Sequence, residues 1–243
     1  MARPAGPLVI AHRGASGSRP ENTLPAFELA VDQGADMIEI DLHHSRDGVI
    51  VVRHDAELRS LGGRADIAQL DWAEIRQLDA GDGQAVPTLD GVLERFGTRI
   101  AFNLELKRSA RGEYSGLEGE VLAAVESRGL LAATLFSSFY DGVLERLRAL
   151  SSRARLAVLV SPRKPQRVLE RARRIAAEAV NPWFGLAESP WIEAAHGDGL
   201  AVYPYTVDEL DDMRRLLTAG VDGLFTNYPE RLRALVDSPR GDS

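Results

Sequence analysis

Eight apolar runs of strand length, helical stripes between them, and glycine stops ahead of several strands predict an α/β chain closed into a (β/α)8 TIM barrel. The runs lie near 8–14, 36–42, 100–107, 134–139, 155–161, 178–182, 200–206 and 222–226. They read as strands buried on both faces, as in a parallel sheet covered by helices. A doubly wound open sheet is the structural alternative. With 243 residues, 44% hydrophobic and 27% charged, the chain can bury a sizeable core, and its length is common for one α/β barrel. We expect a single domain over 1–243.

Taken in order, the elements have local reasons. After the first run Thr23 is placed to cap a helix with Pro25 in its first turn, Leu24, Phe27, Ala30 and Val31 form its stripe, and Gly34 stops it. Past the second strand, Ser45-Arg46-Asp47-Gly48 reads as the turn of a hairpin into 49–52. The segment 55–95 is a longer excursion, expected above the barrel. Further stripes are Leu117, Val121, Leu122 and Val125 before Gly129; Val143, Leu144, Leu147 and Leu150; Val168, Leu169 and Ala172; and Leu210, Met213, Leu216 and Leu217 before Gly220. Gly34-Ala35-Asp36 and Gly220-Val221-Asp222 echo one another as a helix stop followed directly by a strand. Asp79-Ala80-Gly81-Asp82-Gly83 reads as a turn, because its spacing fails the EF-hand pattern. The tail from Ser238 to Ser243 is expected to fray.

Charge and composition exclude several classes. The 29 Lys and Arg against 36 Asp and Glu leave a net charge of −7, the wrong sign for a nucleic-acid backbone. Cysteine is absent, which removes disulfides, Cys-based zinc sites and thiol nucleophiles. No stretch approaches the roughly 20 apolar residues of a membrane span, and the start lacks the basic segment and apolar run of a secretion signal. We therefore expect a cytoplasmic protein without stable membrane insertion.

Glu39 and Asp41 lie two apart in an otherwise apolar strand, so both face one side, which in a barrel is the interior. Two such carboxylates repel unless a cation, a shared proton or a basic partner joins them. In Asn103-Leu104-Glu105-Leu106-Lys107 the same spacing brings a third carboxylate and a cation toward the axis. Carboxylates and waters suit a hard divalent metal; interior ion pairs without a metal are the alternative. Each pair sits near the C-terminal end of its strand, where barrels place active sites. His12 and Arg13 end the first strand, and His54 closes the hairpin strand, so both rings reach the mouth. A histidine pair suits acid–base work near neutral pH, and the Arg13 fork with the Lys107 point charge suits a phosphate.

His12-Arg13-Gly14, Pro20-Glu21-Asn22-Thr23, Glu39-Ile40-Asp41, Arg46-Asp47-Gly48, His54-Asp55 and Leu104-Glu105-Leu106-Lys107, in this order, resemble the glycerophosphodiester phosphodiesterase family. Pro87-Thr88-Leu89, Ser137-Ser138-Phe139, and Gly220-Val221-Asp222-Gly223 with Thr226-Asn227-Tyr228-Pro229 extend the likeness over nearly the whole chain. The resemblance implies a barrel with a small insertion after its second strand, matching the excursion over about 55–95. It implies that Glu39, Asp41 and Glu105 bind Ca²⁺ or Mg²⁺, that His12 and His54 are the acid–base pair, and that Arg13 and Lys107 grip the phosphate of a glycerophosphodiester. Glu21 and Asn22 suit either capping or orientation of His12 and Arg13. The chain departs from the family pattern at Tyr205-Thr206-Val207-Asp208, where Trp-Thr-Val-Asn is usual, and at Asn227, where Asp is common. Tyr205 keeps an aromatic face toward the substrate and adds a hydroxyl. His43 is read first as a loop-rim histidine, with the inward position that alternation from Asp41 offers, as a further ligand or phosphate contact, as the alternative; His196 is expected at the surface. Trp183 and Trp191 are read either as packing or as part of an aromatic wall. The rival activities are lysophospholipase D-type cleavage and a non-catalytic phosphate-binding barrel.

Overall fold

Strand and helix alternate along the chain as the apolar runs predict. In a computed structural model describing residues 6–60, 63–163 and 165–238, the order begins β1 (Leu8–His12), α1 (Leu24–Asp32), β2 (Met37–His44) and β3 (Ile50–Val52). It continues β4 (Glu57–Ser60), β5 (Gly63–Asp66), α2 (Trp72–Ile75), α3 (Leu89–Phe96), β6 (Ala101–Leu106), α4 (Leu117–Glu126), β7 (Thr134–Ser138) and α5 (Asp141–Leu150). The last third holds β8 (Arg155–Val160), α6 (Val168–Ile175), β9 (Ala179–Pro182), α7 (Ser189–Gly197), β10 (Ala201–Val202), α8 (Leu210–Thr218), β11 (Gly223–Thr226) and α9 (Pro229–Asp237).

Among the described residues eight strands run parallel in the order β10-β9-β8-β7-β6-β2-β1-β11. The remaining seam is bridged by backbone bonds from Asp222 N to Val202 O (3.0 Å), Phe225 N to Pro204 O (3.0 Å) and Val207 N to Phe225 O (2.8 Å), so the sheet closes. This is the predicted barrel rather than an open sheet. The Ser45 to Gly48 turn returns β3 antiparallel along β2, with Val51 opposite His43. Thr23 caps α1, its hydroxyl accepting from Ala26 N, and Gly34 follows with φ +75°.

Two layers of side chains flank the strands. Outward, Val9, Ile38, Ile40, Leu42, Phe102, Leu104, Phe136, Leu156 and Val180 pack under the helices. Inward, a smaller cluster of Ile10, Met37, Leu135, Ala157, Ala179, Tyr203 and Phe225 fills the barrel. Within the segment 55–95, Ile67, Ile75 and Val86 form a separate small core together with Val51 of β3, and β4 and β5 pair antiparallel. Its last part belongs elsewhere: Leu89, Val92 and Leu93 of α3 join the outer layer, where Phe96 at the end of that helix meets Phe27 edge-on at 6.0 Å. Asp79 bends its segment as a turn, accepting from Gly81 N and Gly83 N.

Two expectations at the periphery differ. Leu150, the last residue of α5, is 56% exposed, whereas Val143, Leu144 and Leu147 of the same stripe are buried. His196 is half-buried, and its Nε2 lies 2.8 Å from Asp222 Oδ2, tying α7 to the start of β11. Trp191 packs on the outer layer, whereas Trp183 stays 37% exposed at the end of β9. Residues 1–5 at the start and 239–243 of the tail lie outside the described residues.

Candidate active site

Register brings the polar residues together. His12 stands opposite Glu39 and Glu39 opposite Asn103; two residues along, Asp41 faces Glu105 and Glu105 faces Ser137. Because side chains alternate, these levels stack at the C-terminal end of the interior, above the apolar fill. Oxygens of Glu39, Asp41 and Glu105 all come within 4.8 Å of one another. His12, Arg13, Glu39, His54, Glu105, Lys107 and Tyr205 line one cavity of about 190 Å³ whose opposite wall is Phe139, Leu159 and Phe225.

The cations sit among the carboxylates. Lys107 Nζ lies 2.8 Å from Asp41 Oδ1 and 2.5 Å from Glu105 Oε1. Arg13 Nε is 3.2 Å from Asp41 Oδ2, its Nη1 donates to Glu21 Oε2 at 2.8 Å, and its backbone N–H donates to Glu39 Oε2 at 3.0 Å. This placement requires a sharp turn: Arg13 has φ +57° and Gly14 φ +81°. A Cβ at Gly14 would come 2.7 Å from the Ala26 carbonyl carbon, so only glycine lets the turn press against α1. Asn22 completes the support, its Nδ2 donating to Asp41 Oδ2 at 2.8 Å.

Three carboxylates face two cations in a buried space, and their proton affinities diverge accordingly. Burial, then Asp41 and Glu105, push Glu39 well above the usual carboxylate range; burial and Asp41 push Glu105 up as well. Burial also opposes ionisation of Asp41, but Lys107 and Arg13 outweigh it and hold that carboxyl low. Among the described residues Glu39 Oε1 is buried with no hydrogen-bond partner. A buried carboxylate oxygen without a donor, in an all-oxygen trio, fits a hard divalent cation. The site is compatible with such a metal.

The histidines differ in their settings. Burial and Arg13 push His12 down to about 4, so the ring is neutral near pH 7. Its Nδ1 is 2.8 Å from Asn227 Oδ1. The amide is oriented by Asn227 Nδ2 donating to Asp208 Oδ2 at 2.7 Å, so Nδ1 carries the proton and the bare Nε2 lies 4.0 Å from Glu39 Oε2. His54 is lowered by burial and Lys107; its ring, 38% exposed, bonds Asp55 Oδ1 at 2.9 Å. His43 is inward and buried rather than at the loop rim, because the alternation of β2 continues through it, and its nitrogens meet Tyr114 OH (2.8 Å) and His54 O (3.1 Å). Tyr205 turns its hydroxyl to Val160 O at 3.0 Å and its ring to Phe139, 5.9 Å away edge-on.

All eight residues singled out from the sequence therefore converge. Sequence reading treated Asp208 and Asn227 only as departures from the family pattern, although both flank strand ends on the mouth side. It quoted Ser137 only as a family landmark, whereas its hydroxyl donates to Asn103 Oδ1 at 2.5 Å and the residue lines the cavity. The strand-end position of these residues is the signal that could have found them.

A closed barrel with an acidic trio, paired cations and two histidines at its mouth gathers the residue types that metal-assisted phosphoryl chemistry uses. Residues 12–231 match the glycerophosphoryl diester phosphodiesterase family, and the chain belongs to that family. Glycerophosphodiester phosphodiesterase activity is the function this membership carries. The chain is 33% identical to a glycerophosphodiester phosphodiesterase of Caldanaerobacter subterraneus subsp. tengcongensis, over 94% of this chain and 97% of the relative. Among solved structures it is similar to an Oleispira antarctica phosphodiesterase in complex with the product sn-glycerol-3-phosphate: TM-score 0.82, 32% identity, 96% of this chain and 97% of that one. A glycerophosphodiester phosphodiesterase of Agrobacterium tumefaciens superposes with TM-score 0.79 at 30% identity, covering 93% of this chain and 98% of that one. No helix among the described residues is long and apolar enough to cross a membrane.

Proposed function

We propose that the chain hydrolyses glycerophosphodiesters to glycerol 3-phosphate and an alcohol, with His12 and His54 as the acid–base pair. The observation that carries this reading is one cavity lined by both histidines, both cations and Glu39 and Glu105 of the acidic trio. The glycerol 3-phosphate bound by the Oleispira antarctica relative supports the substrate class. Glu39, Asp41 and Glu105 would hold Ca²⁺ or Mg²⁺, which when bound supplies positive charge against the phosphoryl oxygens.

His12, neutral and with Nε2 bare, takes the proton from the attacking water, whose oxygen becomes the new phosphoryl oxygen. Bond formation at phosphorus expels the alcohol oxygen, and His54 delivers a proton to it. Arg13 and Lys107 offset charge on the non-bridging oxygens and orient the diester. The aromatic wall of Phe139, Tyr205 and Phe225 takes the carbon-bearing part of the substrate.

The test is release of glycerol 3-phosphate from glycerophosphocholine and glycerophosphoethanolamine with Ca²⁺, Mg²⁺, Mn²⁺ or chelator. Metal-dependent release is expected. Cleavage confined to lysophosphatidylcholine would move the assignment to lysophospholipase D-type chemistry. Phosphate binding without turnover on any of the three would make the barrel non-catalytic.

A further inference from the structure

His43 is left over once the acidic trio, the cations and the two cavity histidines have been accounted for. It projects inward from β2 and is 1% exposed, yet it does not line the cavity. Its Nε2 faces the backbone oxygen of His54 at 3.1 Å, and since a carbonyl only accepts, Nε2 carries the proton. Nδ1 is then bare and accepts from the Tyr114 hydroxyl at 2.8 Å. Tyr114 comes from the segment between β6 and α4, and its ring stands edge-on to His43 (5.7 Å) and His44 (6.2 Å). That segment is itself tied to the excursion by Ala110 N donating to Asp66 Oδ2 at 2.8 Å, and His44 Nε2 lies 2.9 Å from Glu120 of α4.

His54 needs such an anchor more than His12 does. His12 ends a barrel strand and is clasped by Asn227, which Asp208 holds. His54 follows a three-residue strand, and its ring bonds Asp55, whose side chain is 71% exposed. An exposed pair of that kind fixes a ring weakly. The backbone of His54 is held from below by the buried imidazole of His43.

We propose that His43, oriented by Tyr114, is a positioning residue for His54: it clamps the His54 backbone carbonyl and so sets where the His54 ring meets the leaving oxygen. This rests on the reading of His54 as the proton donor. A ring displaced by an ångström costs turnover rather than substrate affinity.

Three single variants, a His54→Ala background and one spectrum test it. His43→Leu removes donor and acceptor, His43→Gln keeps one of each, and Tyr114→Phe removes the hydroxyl while leaving the ring. His43→Leu should lower kcat about 10–100-fold, as loss of an orienting partner does, with KM and Ca²⁺ affinity within about twofold of the parent. His43→Gln should recover most of the loss, and Tyr114→Phe should fall between them. In a His54→Ala background His43→Leu should add no further loss. The ¹⁵N spectrum of labelled imidazoles should show His43 as the Nε2–H tautomer without substrate or metal.

An Nδ1–H tautomer overturns the clamp. So does His43→Leu turnover within about twofold of the parent, or equal losses in His43→Leu and His43→Gln that track lowered melting temperature. A full His43→Leu loss in the His54→Ala background shows that His43 acts elsewhere and overturns the proposal too. Near-normal turnover of His54→Ala would remove His54 as donor and with it the catalytic consequence of His43, whereas the tautomer tests the clamp independently.

Discussion

On β2, Ile38, Ile40 and Leu42 enter the layer beneath the helices, while Met37, Glu39, Asp41 and His43 enter the barrel. On β6, Phe102, Leu104 and Leu106 go outward and Asn103 and Glu105 inward. Both faces are buried, but they contribute opposite signs. Each fully buried large apolar side chain of the outer layer contributes about 1.5–3 kcal/mol. The inner layer instead confines carboxylates that repel, a loss only partly offset by Lys107 and Arg13. Stability is concentrated outside the strands and chemistry inside them, so the chemistry can be strained without dissolving the fold.

The sharpest way to break this contrast is to truncate one residue on each face. His12→Ala should reduce kcat by roughly 10²–10⁴-fold, the usual worth of a positioned acid or base, with the urea midpoint nearly unchanged. Phe136→Ala, fully buried outside β7, should cost about 3–5 kcal/mol of stability while surviving folded enzyme keeps its kcat. If His12→Ala destabilises as strongly as Phe136→Ala, the division between faces is wrong.

Glu39→Gln sharpens the inner side of the comparison. The Glu39 carboxyl lies above its ordinary value of 4.5 in the folded chain. Its contribution to stability is therefore present below that value and lost as pH rises through the folded value. Metal-free protein at neutral pH carries this penalty, and the amide removes it. We expect the metal-free melting temperature to rise by about 2–4 °C for each kcal/mol recovered, with the further rise on adding Ca²⁺ or Mg²⁺ abolished. A lower metal-free melting temperature would show that Glu39 is structurally stabilising.

The smallest effect belongs to the outer surface. Arg99 and Arg95 hold Glu28 down to about 2, joining α1 to the end of α3. For a depressed carboxyl the contribution is present above its ordinary value of 4.5 and lost as pH falls through about 2. Glu28→Gln should lower stability by less than about 1 kcal/mol at pH 7, and the difference from the parent should vanish toward pH 2. A difference independent of pH would assign the effect to packing.

The alternation that separates the two faces was legible before any coordinates. Glu39 and Asp41 two apart in an apolar run, and Glu105 with Lys107 in another, announce an inward polar face because strand side chains alternate. The ring of partners around them was not legible. Asn227 and Asp208 lie 215 and 196 positions from His12, and nothing local to either shows that they orient that ring. Alternation offered His43 an inward position but not its task, because its partner is a backbone oxygen, and backbone atoms leave no mark on residue identity.

By itself the sequence determined the repeating strand and helix units, the helix caps and stops such as Thr23 and Gly34, and the residue types able to bind phosphate and metal. These follow from local sterics and from periodicity, which act within a few residues. Only the tertiary structure decided the closure between β10 and β11, the register that sets Asp41 beside Glu105, the tautomer of His12 and the clamp on His54. Those depend on distances between segments remote in sequence, which the closing barrel alone brings within hydrogen-bond reach.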